Sequence, residues 1–540
     1  LLEDPNKKIF INHLVCEGCG DCSVESNCIS VEPLKTVYGT KRKINQSTCN
    51  KDYSCASGFC PSFTEIKGGT IIKKSSSKIL DPDNKFKNLK SPKKYSFKNN
   101  EVYNILVTGI GGTGVVTIGA LIGMAAHIEG KGITVLDQVG IAQKGGAVLS
   151  HIKLAKDPSA IYSPQISDGT TNLLLGCDMV VSASNEISKL LNNKKTNSII
   201  NDHEAPLSQS VLDPNYSYSG SLTKSLIKNK SIKTNFLNAT ELAKNLFGDT
   251  ILSNIFLLGY AFQNGLIPIS VKALKEAIKL NAINIEENIS AFSWGRLASE
   301  DINHVLEKTK ISDNNLNKKL PLSQLINKKH QELIKYQDEK YATKYLKLIK
   351  LVQKKELALK EKNLEMTKLV VNTLYKIMAY KDEFEVARLY TDGRFKQYLK
   401  ENFEGSFKIS IYLSPPILNL IDKKTNKPKK ILFSSKVFVL FKILNKFKFI
   451  RNTFLNPFRY STERKKEREL VKKFENNLNY LLNKVNKTNY KKCLEILNLF
   501  NNVKGYGHVK MNNFKEFEID LEYKLSQFKA SESKRDLAAE

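Results

Sequence analysis

The sequence predicts an α/β protein in three parts: a small cysteine-rich module, an open, mostly parallel α/β domain, and a mainly helical C-terminal domain. Three observations carry this expectation. Seven of the nine cysteines fall between Cys16 and Cys60 of a 540-residue chain. A strand, a glycine-rich turn and an apolar helix follow one another from Val102. Beyond residue 301 charged and apolar residues mix at helical spacing.

Cys16, Cys19 and Cys22 have the spacing C-x2-C-x2-C, and Cys28, Cys49, Cys55 and Cys60 follow. Such spacing brings three thiolates around one loop, which suits three corners of an iron–sulfur cubane whose fourth ligand comes from elsewhere. Cys60, followed by Pro61, is the natural fourth, so one [4Fe–4S] cluster is expected on Cys16, Cys19, Cys22 and Cys60. The competing reading is zinc, with Cys16-x2-Cys19 as one half-site and Cys55-x4-Cys60 as the other. The third cysteine, Cys22, favours iron–sulfur. A disulfide framework fits poorly with cysteines crowded into one short segment and no secretory signal.

Two cubanes need eight ligands, and the segment offers seven cysteines. Bacterial-type runs end C-x3-C-P, whereas here five residues separate Cys22 from Cys28 and Ile29 stands in the proline position. Two readings stay open: Cys28, Cys49 and Cys55 hold a second cluster with one non-cysteine ligand, or they are reduced spectators.

The module is expected to span residues 1–68 and close at Gly68-Gly69. Residues 69–101, with Ser75-Ser76-Ser77, Pro82, Pro92 and many lysines, read as a linker. The α/β domain, residues 102–300, opens with a strand at Ile105–Val107, the turn Gly109-x-Gly111-Gly112-x-Gly114 and a helix through Ala126. A strand at Ile133–Leu136 ends at Asp137, and the apolar runs Met179–Ala183 and Ser198–Asn201 are read as further strands. Pro268–Asn281 has helical periodicity, and the domain closes near Trp294-Gly295-Arg296. Residues 301–540 read as charged helices, with strands near Lys408–Leu413 and Ile431–Phe433. Leu346–Val371 is amphipathic, and Lys436–Phe449 reads as an element packed on its own domain rather than a membrane-surface helix.

The glycine turn with Asp137 has the spacing of a dinucleotide site for NAD or FAD. Any tight turn that offers backbone N–H groups to an anion wants the same glycines. A second element, Gln143-Lys144-Gly145-Gly146-Ala147, would share the carboxyl edge of the sheet and suit a phosphate-bearing ligand. Asp202-His203-Glu204 reads as a loop, and His13, His127, His151 and His508 as structural. No nucleophile elbow, Walker loop, H-E-x-x-H helix or thiamine diphosphate motif is found.

The net charge of +30 comes from lysines spread through the whole chain. Such dispersal reads as compositional bias, with a field that suits docking of an acidic electron carrier rather than nucleic acid. The long uncharged stretch Ile105–Ile128 contains six glycines and reads as strand, loop and helix, so no membrane span is expected.

The motifs Cys16-Glu17-Gly18-Cys19-Gly20-Asp21-Cys22, Ser47-Thr48-Cys49-Asn50-Lys51-Asp52, Gly58-Phe59-Cys60-Pro61-Ser62, Gly109 to Gly114 and Gln143 to Ala147 closely resemble the fused indolepyruvate:ferredoxin oxidoreductases. The resemblance extends to Leu173–Asp178, Phe292–Arg296, Ala387–Phe395 and Gly505–Lys510. It implies a gamma-type domain at residues 102–300 and a C-terminal region of unassigned role at residues 301–540. It also implies decarboxylation of an aryl pyruvate by thiamine diphosphate with Mg, electron transfer through [4Fe–4S] to ferredoxin, and acyl transfer to coenzyme A. In such proteins the thiamine diphosphate domain precedes the cysteine module, so the chain looks like the back half, catalytic only with that domain or subunit. A cytoplasmic homo-oligomer without membrane or nucleic acid is implied. Gly109, Gly111, Gly112, Gly114, Gln143, Lys144, Gly145 and Gly146 then form an interface or coenzyme A approach rather than an NAD site. The alternatives are a flavin- or NAD-linked iron–sulfur oxidoreductase and a zinc-containing nucleic-acid-binding module.

Overall fold

The computed structural model describes residues 5–72, 85–93, 95–98, 100–140, 146–204, 220–309, 320–361, 363–414, 421 and 428–539. The strands in chain order are β1 Lys7–Ile11, β2 Val31–Thr36, β3 Gly39–Ile44, β4 Phe63–Ile71, β5 Val102–Ile110, β6 Gly132–Val139, β7 Ala147–Ala155, β8 Leu173–Gly176, β9 Asn197–Asn201, β10 Lys233–Leu237, β11 Phe403–Leu413 and β12 Ile431–Ser434. The chain divides into two units, one built from Leu1–Ile71 and Asn315–Glu540, the other from Ile72–Leu207 and Tyr216–Asn314. No described helix is long and apolar enough to cross a membrane.

In the first unit β1, β4, β11 and β12 form an antiparallel sheet in that order, and β2 and β3 form a hairpin. β4 runs straight through Gly68-Gly69, where the sequence reading closes the module. Both glycines have left-handed φ, +75° and +72°, and the pairing with β11 shifts register between Glu404 and Phe407. A Cβ on Gly69 would stand 3.1 Å from the Glu404 carbonyl. The pair therefore permits a β-bulge rather than ending a domain. This sheet joins the cysteine segment to the C-terminal region, which the sequence reading separates; partners so distant in sequence leave no local signature.

The C-terminal helices pack around Tyr336, Tyr345, Val371, Phe474, Phe500 and Phe517. Leu346–Val371 is split between helices Glu339–Ala358 and Glu365–Met378, with Leu364 in left-handed conformation at the entry to the second. Lys436–Phe449 contains helix Val437–Lys446, whose Val437 and Phe441 are buried in a core with Tyr390 of helix Glu383–Thr391.

The second unit holds a six-stranded sheet in the order β10-β9-β8-β5-β7-β6. The ladders from β10 to β5 are parallel and those joining β7 to β5 and to β6 are antiparallel. The sheet is therefore mixed, with its parallel part on one side. Met179–Ser182 is a short helix, not a strand, because Asp178 caps it by accepting from Val181 N at 2.8 Å. The strand is the preceding run Leu173–Gly176, and apolar runs this short do not distinguish the two by periodicity. Part of the segment read as linker lies on this core: Phe86, Leu89, Tyr95 and Phe97 pack against it, and Phe86 meets Trp294 edge-on at 5.4 Å.

Candidate metal centre

Cys16 and Cys19 lie in the loop after β1, and Cys22 lies in the helix Asp21–Ser26. Cys28 precedes β2, Cys49 follows β3, Cys55 is in the 3-10 turn Ser54–Ser57, and Cys60 precedes β4. The helix and the turn are pressed together, since a Cβ on Gly58 would stand 2.7 Å from the Cys22 Cα. The cysteines sort into two electrostatic groups: beyond the effect of burial, negative charge on Cys16 and Cys60 raises the thiols of Cys19 and Cys22, while negative charge on Cys49 and Cys28 raises that of Cys55. Cys60 thus stands with the C-x2-C-x2-C run, and the remaining three stand together.

Backbone donors point at these sulfurs. Gly18 N and Arg42 N donate to Cys16 Sγ at 3.3 and 3.4 Å, and Lys51 N donates to Cys49 Sγ at 3.4 Å. Cys60 Sγ lies 2.9 Å from Ser62 Oγ. Gly18 and Gly20 supply the left-handed φ that winds the first loop. Burial pushes the Cys60 thiol up to about 11 despite the positive charge of Lys430, and pushes the Cys55 thiol up to about 12. A coordinated metal would remove those protons. All seven thiols are free of disulfides. Among the described residues no three His, Cys, Asp or Glu side chains converge on a single ion. Thiols in two sets, buried at Cys16, Cys22 and Cys55 and half-buried at the others, with N–H groups aimed at Cys16 and Cys49, are compatible with iron–sulfur clusters.

The C-terminal region of the same unit grips these loops, a role the sequence reading missed. Tyr506 donates its hydroxyl to Val15 O at 2.6 Å. Gly507 comes so close to the Phe59 ring that a Cβ there would stand 2.6 Å from it, and His508 lies 4.8 Å from the same ring. Lys510 is buried between Glu467, at 2.6 Å, and Glu17, at 3.8 Å, the residue after Cys16. Tyr390 donates to Pro61 O at 2.7 Å. Lys430 bonds the carbonyls of Ala56 and Gly58 and lies over the Phe63 ring. The available signal was Gly505-Tyr506-Gly507-His508 and Ala387–Phe395, motifs noticed without a partner. His13 is buried against Tyr398, and His151 accepts from Ile166 N.

The glycine turn lies in the other unit. Gly109 ends β5 against Val115 and Cys177, where a Cβ would stand 2.5 Å from the Val115 side chain. Gly112 and Gly114 have φ of +83° and +88°, and Gly114 opens helix Val115–Ile128 without a side-chain cap. Gly111 N donates to Gly146 O at 2.8 Å, so the two glycine elements meet. Gln143, Lys144 and Gly145 lie outside the described residues. Asp137 pairs across β7 at the level of Val107, short of the turn, and β7 separates its strand from β5. An acid so placed does not complete a dinucleotide site, where the second strand lies next to the first.

Residues 104–298 match the family described as pyruvate ferredoxin/flavodoxin oxidoreductase, and residues 322–523 match a family of unknown function. The indolepyruvate oxidoreductase subunit IorB of Thermococcus kodakarensis is 24% identical over 205 residues, covering 37% of this chain and 97% of that subunit. The subunit of the same name from Pyrococcus horikoshii is 26% identical over 205 residues, with the same coverage. Residues 104–298 are thus similar to this oxidoreductase family and to the subunits named. Among solved structures, the pyruvate oxidoreductase subunit PORC of Thermotoga maritima aligns with 15% identity and a TM-score of 0.28, over 37% of this chain and 96% of that one. The cysteine groups lie outside both matched segments.

Proposed function

We propose that the chain is the electron-transfer and gamma-type part of a 2-oxoacid:ferredoxin oxidoreductase, with Cys16, Cys19, Cys22 and Cys60 holding a [4Fe–4S] cluster. The observation that carries this reading is the gathering of free thiols around one small core, with backbone N–H groups directed at Cys16 and Cys49. When bound, such a cluster takes up and passes on single electrons. The chain's own residues hold it, exclude water and tune it. Gly18 N and Arg42 N stabilise negative charge on Cys16, and Lys430 places a cation beside Cys60.

In the overall reaction a 2-oxoacid loses carbon dioxide on thiamine diphosphate, with Mg, held by a partner domain or subunit. Its acyl group passes to coenzyme A, and two electrons leave singly to ferredoxin. The names of the relatives support indolepyruvate as the oxoacid. The contact of Gly111 with Gly146 supports an approach for coenzyme A, or a subunit interface, at Gly109 to Gly114 and Gln143 to Gly146.

Anaerobic purification followed by iron and acid-labile sulfide analysis, with EPR of the dithionite-reduced protein, tests the reading. Iron and sulfide in equal amounts, at least about four of each per chain, with a cubane signal that Cys19→Ala removes, is the expected result. Zinc without labile sulfide would overturn it.

A further inference from the structure

The loop that carries Cys49 and Cys55 repeats the geometry of the loop that carries Cys16 and Cys22, with an aspartate in the middle place. The first reads Cys16-x2-Cys19-x2-Cys22 and the second Cys49-x2-Asp52-x2-Cys55. The correspondence is conformational as well as numerical. Two residues after the first cysteine the backbone is left-handed in both, Gly18 at φ +71° and Lys51 at φ +62°, and in both that residue's N–H donates to the cysteine's sulfur. Four residues after it the backbone is left-handed again, Gly20 at φ +84° and Tyr53 at φ +62°. Each of these residues caps the helical turn that carries the third position.

At the middle position of the second loop, Asp52 Oδ1 accepts from Ser54 N, two residues on, at 3.1 Å. The conformation is costly in the second loop, because Lys51 and Tyr53 are not glycines. Strain of this kind persists where the surroundings and function require it. Cys28 and Cys49 pack against the same small core that holds Cys55.

We propose that Asp52 is the fourth ligand of a second [4Fe–4S] cluster, its carboxylate completing the set Cys28, Cys49 and Cys55. The inference rests on the iron–sulfur reading above. Each loop then supplies three ligands to its own cluster and one to the other, Cys60 to the first and Cys28 to the second, as in two-cluster ferredoxins. Ser54 N, Ser54 Oγ and Asn50 Nδ2 bond Asp52 at 3.1, 3.0 and 3.3 Å. A carboxylate has about four lone-pair sites, so these bonds orient it and leave one free for iron.

An oxygen donor binds iron less firmly than thiolate does in a sulfide-rich site. Ferricyanide should therefore take one electron from the second cluster as one Fe2+ leaves the Asp52 corner, giving a three-iron cluster. The full chain, purified anaerobically, is compared with Asp52→Ala and Asp52→Cys by iron and sulfide content and by EPR before and after ferricyanide. The expected wild type carries about eight irons and gains a three-iron signal on oxidation. Asp52→Ala shows that signal as isolated, with about one iron fewer, and Asp52→Cys retains about eight irons through the same treatment. Only about four irons in wild type, both cubanes intact in Asp52→Ala, or Asp52→Cys as labile as wild type would each overturn the proposal. Absence of iron and labile sulfide altogether would overturn the iron–sulfur reading as well.

Discussion

Lys510→Met tests whether the C-terminal region holds the cysteine loops. The Lys510 ammonium is buried among three carboxylates, 2.6 Å from Glu467, 3.8 Å from Glu17 and 3.9 Å from Glu463. Methionine keeps much of the apolar stem and removes the charge. Glu467 retains Arg464 at 2.5 Å, so the loss falls chiefly on Glu17. Burial by itself raises the Glu17 carboxyl, and Lys510, foremost among the neighbouring cations, holds it below its ordinary range. Removing one partner of a buried pair costs about 3–5 kcal/mol. Because Glu467 keeps a partner, the expected loss is near the lower end, about 3 kcal/mol. For a large unit, about 2–4 °C per kcal/mol puts the fall in melting temperature at roughly 6–12 °C. The assay is anaerobic thermal unfolding of the iron-loaded chain, followed by far-UV circular dichroism and by visible cluster absorbance. The absorbance should disappear at lower temperature in the variant, and Lys510→Arg should recover most of the difference. A Lys510→Met protein that melts within about 1 °C of wild type, with full iron content, would refute the argument.

In the other unit, Gly295→Ala should lower stability by about 3 kcal/mol or more, because a Cβ there would stand 1.9 Å from the Phe256 carbonyl across the helix contact. Limited proteolysis should show the α/β unit opening while iron content is unchanged, and an unaltered digestion pattern would contradict this. Burial, then Lys41, Arg394 and Lys381, lower His13 from 6.5 to about 4. The unfolded chain therefore binds a proton that the folded one refuses. The His13 contribution is full above pH 6.5 and is lost as pH falls towards about 4, by up to about 3 kcal/mol. Urea unfolding across that window should show the slope, and His13→Gln should flatten it; an equal slope in the variant would argue against His13 as its source. Lys430→Met removes a cation beside Cys60. The potential of the first cluster should therefore fall in an EPR-monitored redox titration, and an unmoved potential would refute the assignment.

Local chemistry was legible and long-range pairing was not. The spacing of Cys16, Cys19 and Cys22 and the strand–turn–helix at β5 are written in short stretches of chain, and each lies on the element expected of it. Leu173–Gly176 and Met179–Ser182 are both brief apolar runs, and only the capping carboxylate of Asp178 made one a helix. Gly68-Gly69 looked like punctuation because a bulge and a boundary ask for the same residue. The sequence left room for one non-cysteine ligand beside Cys28, Cys49 and Cys55, but spacing alone does not name it.

The C-terminal region gains a physical role from what it touches. A cubane is held by loops with little secondary structure, and such loops keep their shape only if something else fixes the backbone. Here much of the fixing comes from outside the cysteine segment: Tyr506 on Val15 O, Tyr390 on Pro61 O, Lys430 on Ala56 O and Gly58 O, and Lys510 on Glu17. These contacts fall just before and just after Cys16, at Val15 and Glu17, and on either side of Cys60, at Ala56, Gly58 and Pro61. They act on carbonyls and a carboxylate of the loops, not on the sulfurs. The short motifs of such a region do not say what they touch. Its residues become legible only when the loop they grip is known.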